Sequence, residues 1–206
     1  MTIDPAWEAE HARRPWGKYA HQAVVEFIGR HYGLLESYSG PRAMRAIDLG
    51  CGAGASAIFL AREGFDVMAI DGSRSAIDRL CDRMTCETNP VIARIDAHCT
   101  DIVSVVNPQG IFDCALDVCC LSCLSLDQAE HVILKVHKWL KPGGRMLSVM
   151  AADDCDEGVH APFAVRQIDA LGIESLFSGF RDLFVGKHTR LTRRGCISEW
   201  VVEVQK

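Results

Sequence analysis

The chain of 206 residues carries a formal net charge of −5, with 49% apolar and 24% charged residues. That length supports one sizeable core, and that composition excludes wholesale disorder. The acidic balance argues against nucleic acid as the main partner, and no run approaches the roughly 18 to 20 apolar residues that span a bilayer.

No basic-then-apolar leader opens Met1-Thr2-Ile3-Asp4-Pro5, so the ten cysteines read as free thiols of a reducing, cytoplasmic compartment. Cys114, Cys119 and Cys120 lie in an apolar run, where cysteine behaves as a small hydrophobe.

Residues 1–20 read as an arm that is polar, rich in aromatics and without clear periodicity, and residues 21–206 as a single domain. In the arm, Trp7, Trp16 and Tyr19 are too many large aromatics for a purely solvated tail, while Pro5, Pro15 and Gly17 forbid one long helix. From His21 to Tyr32, Ala23, Val24, Phe27, Ile28 and His31 recur at helical spacing, and Gly33 stops the helix. Strands and helices then alternate: strand 43–49, helix 56–63, strand 66–70, helix 75–87, strand 91–95 and strand 112–119. A helix over 127–140 closes on Lys141-Pro142-Gly143-Gly144 and a fifth strand follows at 145–150. A helix over 165–177, interrupted near Gly172, precedes two strands, 183–191 and 197–204, around a glycine-containing turn. The basic run Arg190, Arg193, Arg194 reads as turn residues there. This alternation implies parallel pairing with right-handed crossovers. The expected fold is α/β: a Rossmann-like, mostly parallel seven-stranded sheet with helices on both faces and a C-terminal antiparallel hairpin.

The most informative stretch is Ala46-Ile47-Asp48-Leu49-Gly50-Cys51-Gly52-Ala53-Gly54, an apolar strand running into alternate glycines just before a helix. Glycine permits the sharp turn and lets a ligand pack on backbone, and the helix N-terminus favours a negatively charged group. The loop also satisfies Gly-x-Gly-x-x-Ala through Gly50, Gly52 and Ala55, so a nicotinamide-dependent oxidoreductase stands as an alternative. Against it, Asp48 precedes the first glycine where a pyrophosphate site places an apolar residue, and the turn comes 50 residues into the chain. Asp71 falls 21 residues after Gly50, at the end of the second strand, where a carboxylate can accept both ribose hydroxyls of a nucleoside. Asp96, at the end of the expected third strand, adds another acid beside the same crevice.

Asp48–Gly54, Asp71, Asp96-Ala97, Phe112-Asp113 and Leu140-Lys141-Pro142-Gly143-Gly144 together resemble the successive motifs of Class I S-adenosylmethionine (SAM)-dependent methyltransferases. The segment Trp16-Gly17-Lys18-Tyr19, the helix after it and Gly64–Val67 are similar to small bacterial enzymes of the tellurite-resistance and thiopurine methyltransferase type. The resemblance implies SAM as cofactor, its demethylated form SAH as product and a small-molecule acceptor. It implies that Asp48, Gly50, Cys51, Gly52 and Gly54 hold the methionine part, Asp71 and Gly72 the ribose, and Asp96 and Ala97 the adenine. Asp117, near the end of the fourth strand, would touch SAM or the acceptor, and Trp16 and Tyr19 would close over the cofactor as a lid. The Asn-Pro-Pro-Tyr pattern of nucleobase amine methylation is absent, which counts against DNA and many RNA amine substrates.

Cys119, Cys120 and Cys123 invite a zinc, redox or soft-acceptor role, but zinc needs a second ligand pair, and packing is the reading adopted, with no metal. His160, in the loop after the fifth strand, and His21 are candidates for base or acceptor contact, and the acidic run 153–157 for recognition of a cationic acceptor. A non-catalytic SAM-binding protein on the same fold is the second alternative, since fold does not fix function. The oligomeric state is left open.

Overall fold

The structure is a computed structural model that describes residues 4–14, 17–33 and 44–206. Trp16, Pro15 and Ala43 lie outside the described residues. In chain order the elements are α1 (Pro5–Arg13), α2 (Gln22–His31), β1 (Arg45–Leu49), α3 (Ala55–Arg62), β2 (Asp66–Asp71), α4 (Arg74–Met84) and α5 (Asn89–Ile92). There follow β3 (Ile95–Cys99), β4 (Phe112–Val118), a 3-10 turn (Leu121–Cys123), α6 (Leu126–Trp139), β5 (Leu140–Ala151), α7 (Ala170–Leu176), β6 (Arg181–Thr192) and β7 (Gly195–Gln205).

The strands form one seven-stranded sheet in the order β3-β2-β1-β4-β5-β7-β6. The first five are parallel, and β7 pairs antiparallel with both β5 and β6. Alternate strand residues feed two cores. Ala46, Cys114, Leu116 and Leu147 pack with α2, α3 and α4, while Ile47, Ala115 and Met146 pack with α6 and α7. Both faces are covered, as a central parallel sheet requires. The order reverses between β1 and β4, and a crevice opens at the C-terminal strand ends of such a switch point. Among the described residues no helix is long and apolar enough to cross a membrane.

Three expected elements differ. The third strand is not at 91–95 but at Ile95–Cys99, because Pro90 opens the short helix α5 after Thr88 and delays the strand by about four residues. The helix expected over 165–177 is only α7: Ile168 bridges to Ala152 in extended form, and the Asp169 side chain caps the helix by accepting the Gly172 N–H at 2.7 Å. The arm, expected to lack periodicity, holds α1, with Asp4 capping its N-terminus and Pro5 in its first turn. Proline bars a longer helix upstream but suits this position, where its missing N–H has no partner to lose.

Two arginines of α4 tie this arm to the sheet. Arg79 donates to the carbonyls of His11 and Ala12, and Arg83 to those of Gly17, Lys18 and Ala53. Glu8 accepts from the hydroxyls of Ser73 and Ser75 at 2.5 and 2.6 Å, and Trp7 stacks on Phe163 with ring centroids 3.8 Å apart. Replacing Arg79 and Arg83 together by alanine should therefore speed amide exchange across residues 5–13 while leaving β1, β4 and β5 as protected as before. Equal protection of α1 in the variant, read by exchange mass spectrometry, would show that the arginines do not hold it.

Candidate functional site

A cavity of about 930 Å³ lies at the C-terminal strand ends, large enough for two small molecules together. Its floor is the β1–α3 turn. Gly50 has φ +66, and a Cβ there would come 2.5 Å from the Cβ of Cys120, so no other residue fits without displacement. Gly50, Cys51, Gly52 and Gly72 line the cavity, whereas Gly54 lies behind it, in left-handed conformation against Leu80 at the start of α3.

Two of the expected carboxylates line this floor. Asp48 is 2% exposed, and its Oδ2 has no hydrogen-bond partner. Burial first, then the charges of Asp71 and Asp117, push its carboxyl up to about 7. Asp71 Oδ2 accepts the Gly52 N–H and its Oδ1 the Ser73 N–H, both at 2.8 Å, so it ties the glycine loop to the start of α4. Burial raises the Asp71 carboxyl, and the two backbone donors oppose the rise.

The other expected acids stand elsewhere. Asp96 and Ala97 lie outside the cavity, because the later start of β3 puts them early in the strand, and Asp96 pairs with His98 at 2.9 Å. The cavity is lined instead by the strand's true end, Cys99-Thr100-Asp101-Ile102. Asp117 has no exposed surface. Its Oδ1 accepts from Cys120 and Leu121 N–H at 2.9 and 3.0 Å, its Oδ2 from the Ser148 hydroxyl at 2.6 Å, and it does not reach the cavity. It organises the turn after β4 and is not placed to touch a ligand.

His21 and His160 both line the cavity. His21 caps α2, its Nδ1 accepting the Ala23 N–H at 3.2 Å, and its Nε2 faces Glu199 at 3.3 Å. Both ring nitrogens are thus engaged. His160 Nε2 is buried without a partner, and burial lowers its pKa, so the ring is a neutral imidazole near neutral pH. Tyr19 sits at the rim, 78% exposed. In the acidic run, Asp154 pairs with Lys187 and Asp156 holds the hairpin backbone, and neither lines the cavity.

Several wall residues lie outside the site expected from sequence, although Trp7 was noted in the arm and the three arginines as turn residues. His11 of α1 faces Gly52, Trp7 and Phe163 line the wall as a stacked pair, and Arg190, Arg193 and Arg194 border the far end. Glu199 of β7, 2% exposed, gathers His21, His188 and Arg190 at 3.3, 3.4 and 3.2 Å. Burial pushes its carboxyl up, but the hydrogen bonds from His21 and Arg190 and the Arg190 charge prevail and hold it at about 2. Both imidazoles and this carboxylate lie within 4.8 Å, a spacing that could hold a metal. The local chemistry favours a hydrogen-bonded ion network: with His21 Nδ1 accepting a backbone N–H, the ring proton sits on Nε2, the atom a metal would need. Cys119, Cys120 and Cys123 also line the cavity, and burial raises all three thiols, Cys123 to about 12, so they remain protonated.

Residues 46–144 match the family described as "Methyltransferase domain". That match spans just under half of the chain, which is therefore similar to a methyltransferase domain over its central sheet. The fold agrees with that of a SAM-dependent methyltransferase from Methanosarcina mazei (TM-score 0.67, 19% identity, 85% of this chain and 97% of that one). It agrees equally with the 1,6-didemethyltoxoflavin-N1-methyltransferase of Burkholderia thailandensis (0.67, 17%, 90% and 77%) and with TehB from Haemophilus influenzae (0.69, 18%, 91% and 62%). A curated relative, "Hemagglutinin 1" of Eikenella corrodens, is 28% identical over 151 residues, 70% of this chain. The chain spans about half the length of that relative, 49%.

Glu199 ties β7 to α2 and β6 through His21, His188 and Arg190, so its carboxyl tests that side of the cavity wall. Its carboxyl is held at about 2 against an ordinary 4.5, a difference of about 3 kcal/mol of stability. The contribution is complete above the ordinary value and is lost as pH falls from about 4.5 toward 2. Glu199→Gln should therefore lower unfolding free energy by about that amount at pH 7, with the gap narrowing in acid. Urea unfolding at several pH values reads it, and a pH-independent gap would contradict the network.

Proposed function

We propose that the protein transfers a methyl group from SAM to a small-molecule acceptor held in the 930 Å³ cavity. The observation that carries this is Asp48: a buried carboxylate with an unsatisfied oxygen on the floor of a cavity, beside a second buried acid, Asp71. Such a floor accepts a ligand carrying an ammonium and a sulfonium. It repels a pyrophosphate, which disfavours the nicotinamide-dependent alternative.

In this reading the N–H groups of the Gly50–Gly52 turn and the start of α3 meet the methionine carboxylate, and Asp48 meets the ammonium beside it. Asp71 retains free lone pairs after accepting its two backbone donors, and with Gly72 it receives the ribose hydroxyls. The end of β3, Cys99–Ile102, takes the place expected of Asp96 and Ala97 at the adenine ring. When bound, SAM supplies a methyl carbon on a cationic sulfur, which an acceptor lone pair takes as the carbon–sulfur bond breaks toward sulfur. The protein's own part is alignment and exclusion of water. The arm with α1, Trp7 and Tyr19 is the lid that shields the cavity. His160, neutral and with Nε2 unpaired on the wall, is the base for an acceptor that must lose a proton.

Asp71→Ala tests the cofactor half. It removes two hydrogen bonds to a charged group, each worth about 1.5 to 3 kcal/mol, so SAH affinity should fall tenfold or more. The melting temperature falls as well, since Gly52 and Ser73 lose their acceptor. Calorimetry on the folded variant decides: unchanged SAH affinity would mean that Asp71 only fastens the loop. Release of SAH from SAM over a panel of thiols, amines, phenols and carboxylates tests turnover, and binding without release from any acceptor would favour the non-catalytic alternative.

A further inference from the structure

Apart from Arg14 of the arm, which pairs with Glu10, the basic and acidic side chains around the cavity are sorted by strand. At the β1, β2 and β3 ends stand Asp48, Asp71 and Asp101, with no arginine or lysine of the wall on those strands. At the opposite end of the sheet, the tip of the β6–β7 hairpin brings Arg190, Arg193 and Arg194 to the same cavity. Arg190 is neutralised by Glu199. Arg194 spends one donor on the Ala161 carbonyl and has no carboxylate partner among the described residues, and Arg193 has no partner of any kind among them. The cationic excess on this side is thus carried by Arg193 and Arg194.

The tip that carries them is fixed in place. Asp156 accepts the Cys196 N–H at 2.7 Å and donates its own N–H to the Cys196 carbonyl at 3.0 Å, while Arg194 reaches across to residue 161. The hairpin is therefore clamped to the loop after β5, and Arg193 is presented at the mouth by a braced turn. Between this basic edge and the floor the wall is apolar and aromatic: Trp7, Phe163, Val118, Val159 and Ile197. Asp4, the acid on the same rim, is engaged in capping α1.

We propose that the acceptor is an organic anion, with an apolar body against the Trp7–Phe163 pair and a carboxylate or phosphate met by Arg193 and Arg194. This rests on the methyltransferase reading, which assigns the acidic half of the cavity to a cationic cofactor and leaves the basic half to the second ligand. Guanidinium groups suit both anions, because their donors form a fork that matches two oxygens at once.

The test uses the full chain saturated with SAH and ligands in matched pairs, read by calorimetry: 4-hydroxybenzoate against 4-hydroxybenzamide, octanoate against octanamide, and phenyl phosphate against phenol. The proposal expects the anionic member of at least one pair to bind tenfold or more tightly than its neutral partner, less so as salt is raised. Arg193→Gln with Arg194→Gln should remove most of that preference, while the neutral member and SAH bind as before. The better of phenyl phosphate and the carboxylates identifies the anion. Neutral members binding as well as anionic ones, a preference that survives the double variant, or no binding of any pair to protein that holds SAH would each overturn the proposal. Failure of SAH itself to bind would instead remove the methyltransferase reading beneath it.

Discussion

Asp48 and Asp71 are buried on the floor of the cavity, and among the described residues neither forms a salt bridge with an arginine or lysine. Desolvation makes two such carboxylates costly in the charged state, and the elevated Asp48 carboxyl is the expression of that cost. The rest of the architecture accommodates this constraint. The Gly52 and Ser73 N–H groups satisfy part of Asp71, the glycine turn keeps side chains out of the space before Asp48, and α1 lies against α4 across the opening. A cation brought to this floor relieves a penalty already present in the folded protein, which is how a site gains affinity from its own strain.

The two ends of the sheet divide the work. The parallel half, β3-β2-β1-β4, contributes short turns whose backbone and acids face the cavity floor. The antiparallel hairpin contributes long side chains and the Glu199 network, which fastens β7 to the start of α2 through His21. The Glu199 network joins α2 to the hairpin, and the Trp7–Phe163 stack joins the arm to the loop after β5.

Much of this was legible from residue order. Alternating strands and helices, the Asp48–Gly54 turn and the Asp71 spacing predict the sheet and its floor, because these features are local: a strand end, a turn and the next helix are contiguous in sequence. The C-terminal hairpin was legible for the same reason, from Gly195 in its turn. What escaped depends on small offsets or distant neighbours. Pro90 shifts β3 by about four residues, and that shift alone exchanges Asp96 for Cys99–Ile102 at the cavity. Asp117 has the composition of a site acid, but whether its lone pairs face a ligand or the Cys120 and Leu121 N–H groups depends on the conformation of the turn, where Cys119 takes φ +64. Glu199 and the hairpin arginines lie about 140 to 150 residues from the glycine turn and join the site through the pairing of β7 with β5 and the contacts of the hairpin with the loop after β5. The start of α1 is written locally in Asp4-Pro5, an N-cap acid followed by a proline at the first helical position.

The most direct test of the acidic floor is proton release on SAM binding. A carboxyl near 7 is mostly protonated at pH 6.3, so a bound ammonium that favours its charged form must expel a proton from Asp48. Calorimetric titration of SAM at pH 6.3, repeated in buffers of different ionisation enthalpy, measures that number. The account predicts release approaching one proton per SAM bound, and close to none in Asp48→Asn. Binding with no proton release in the unaltered protein, or no heat with SAM in any buffer, would contradict it.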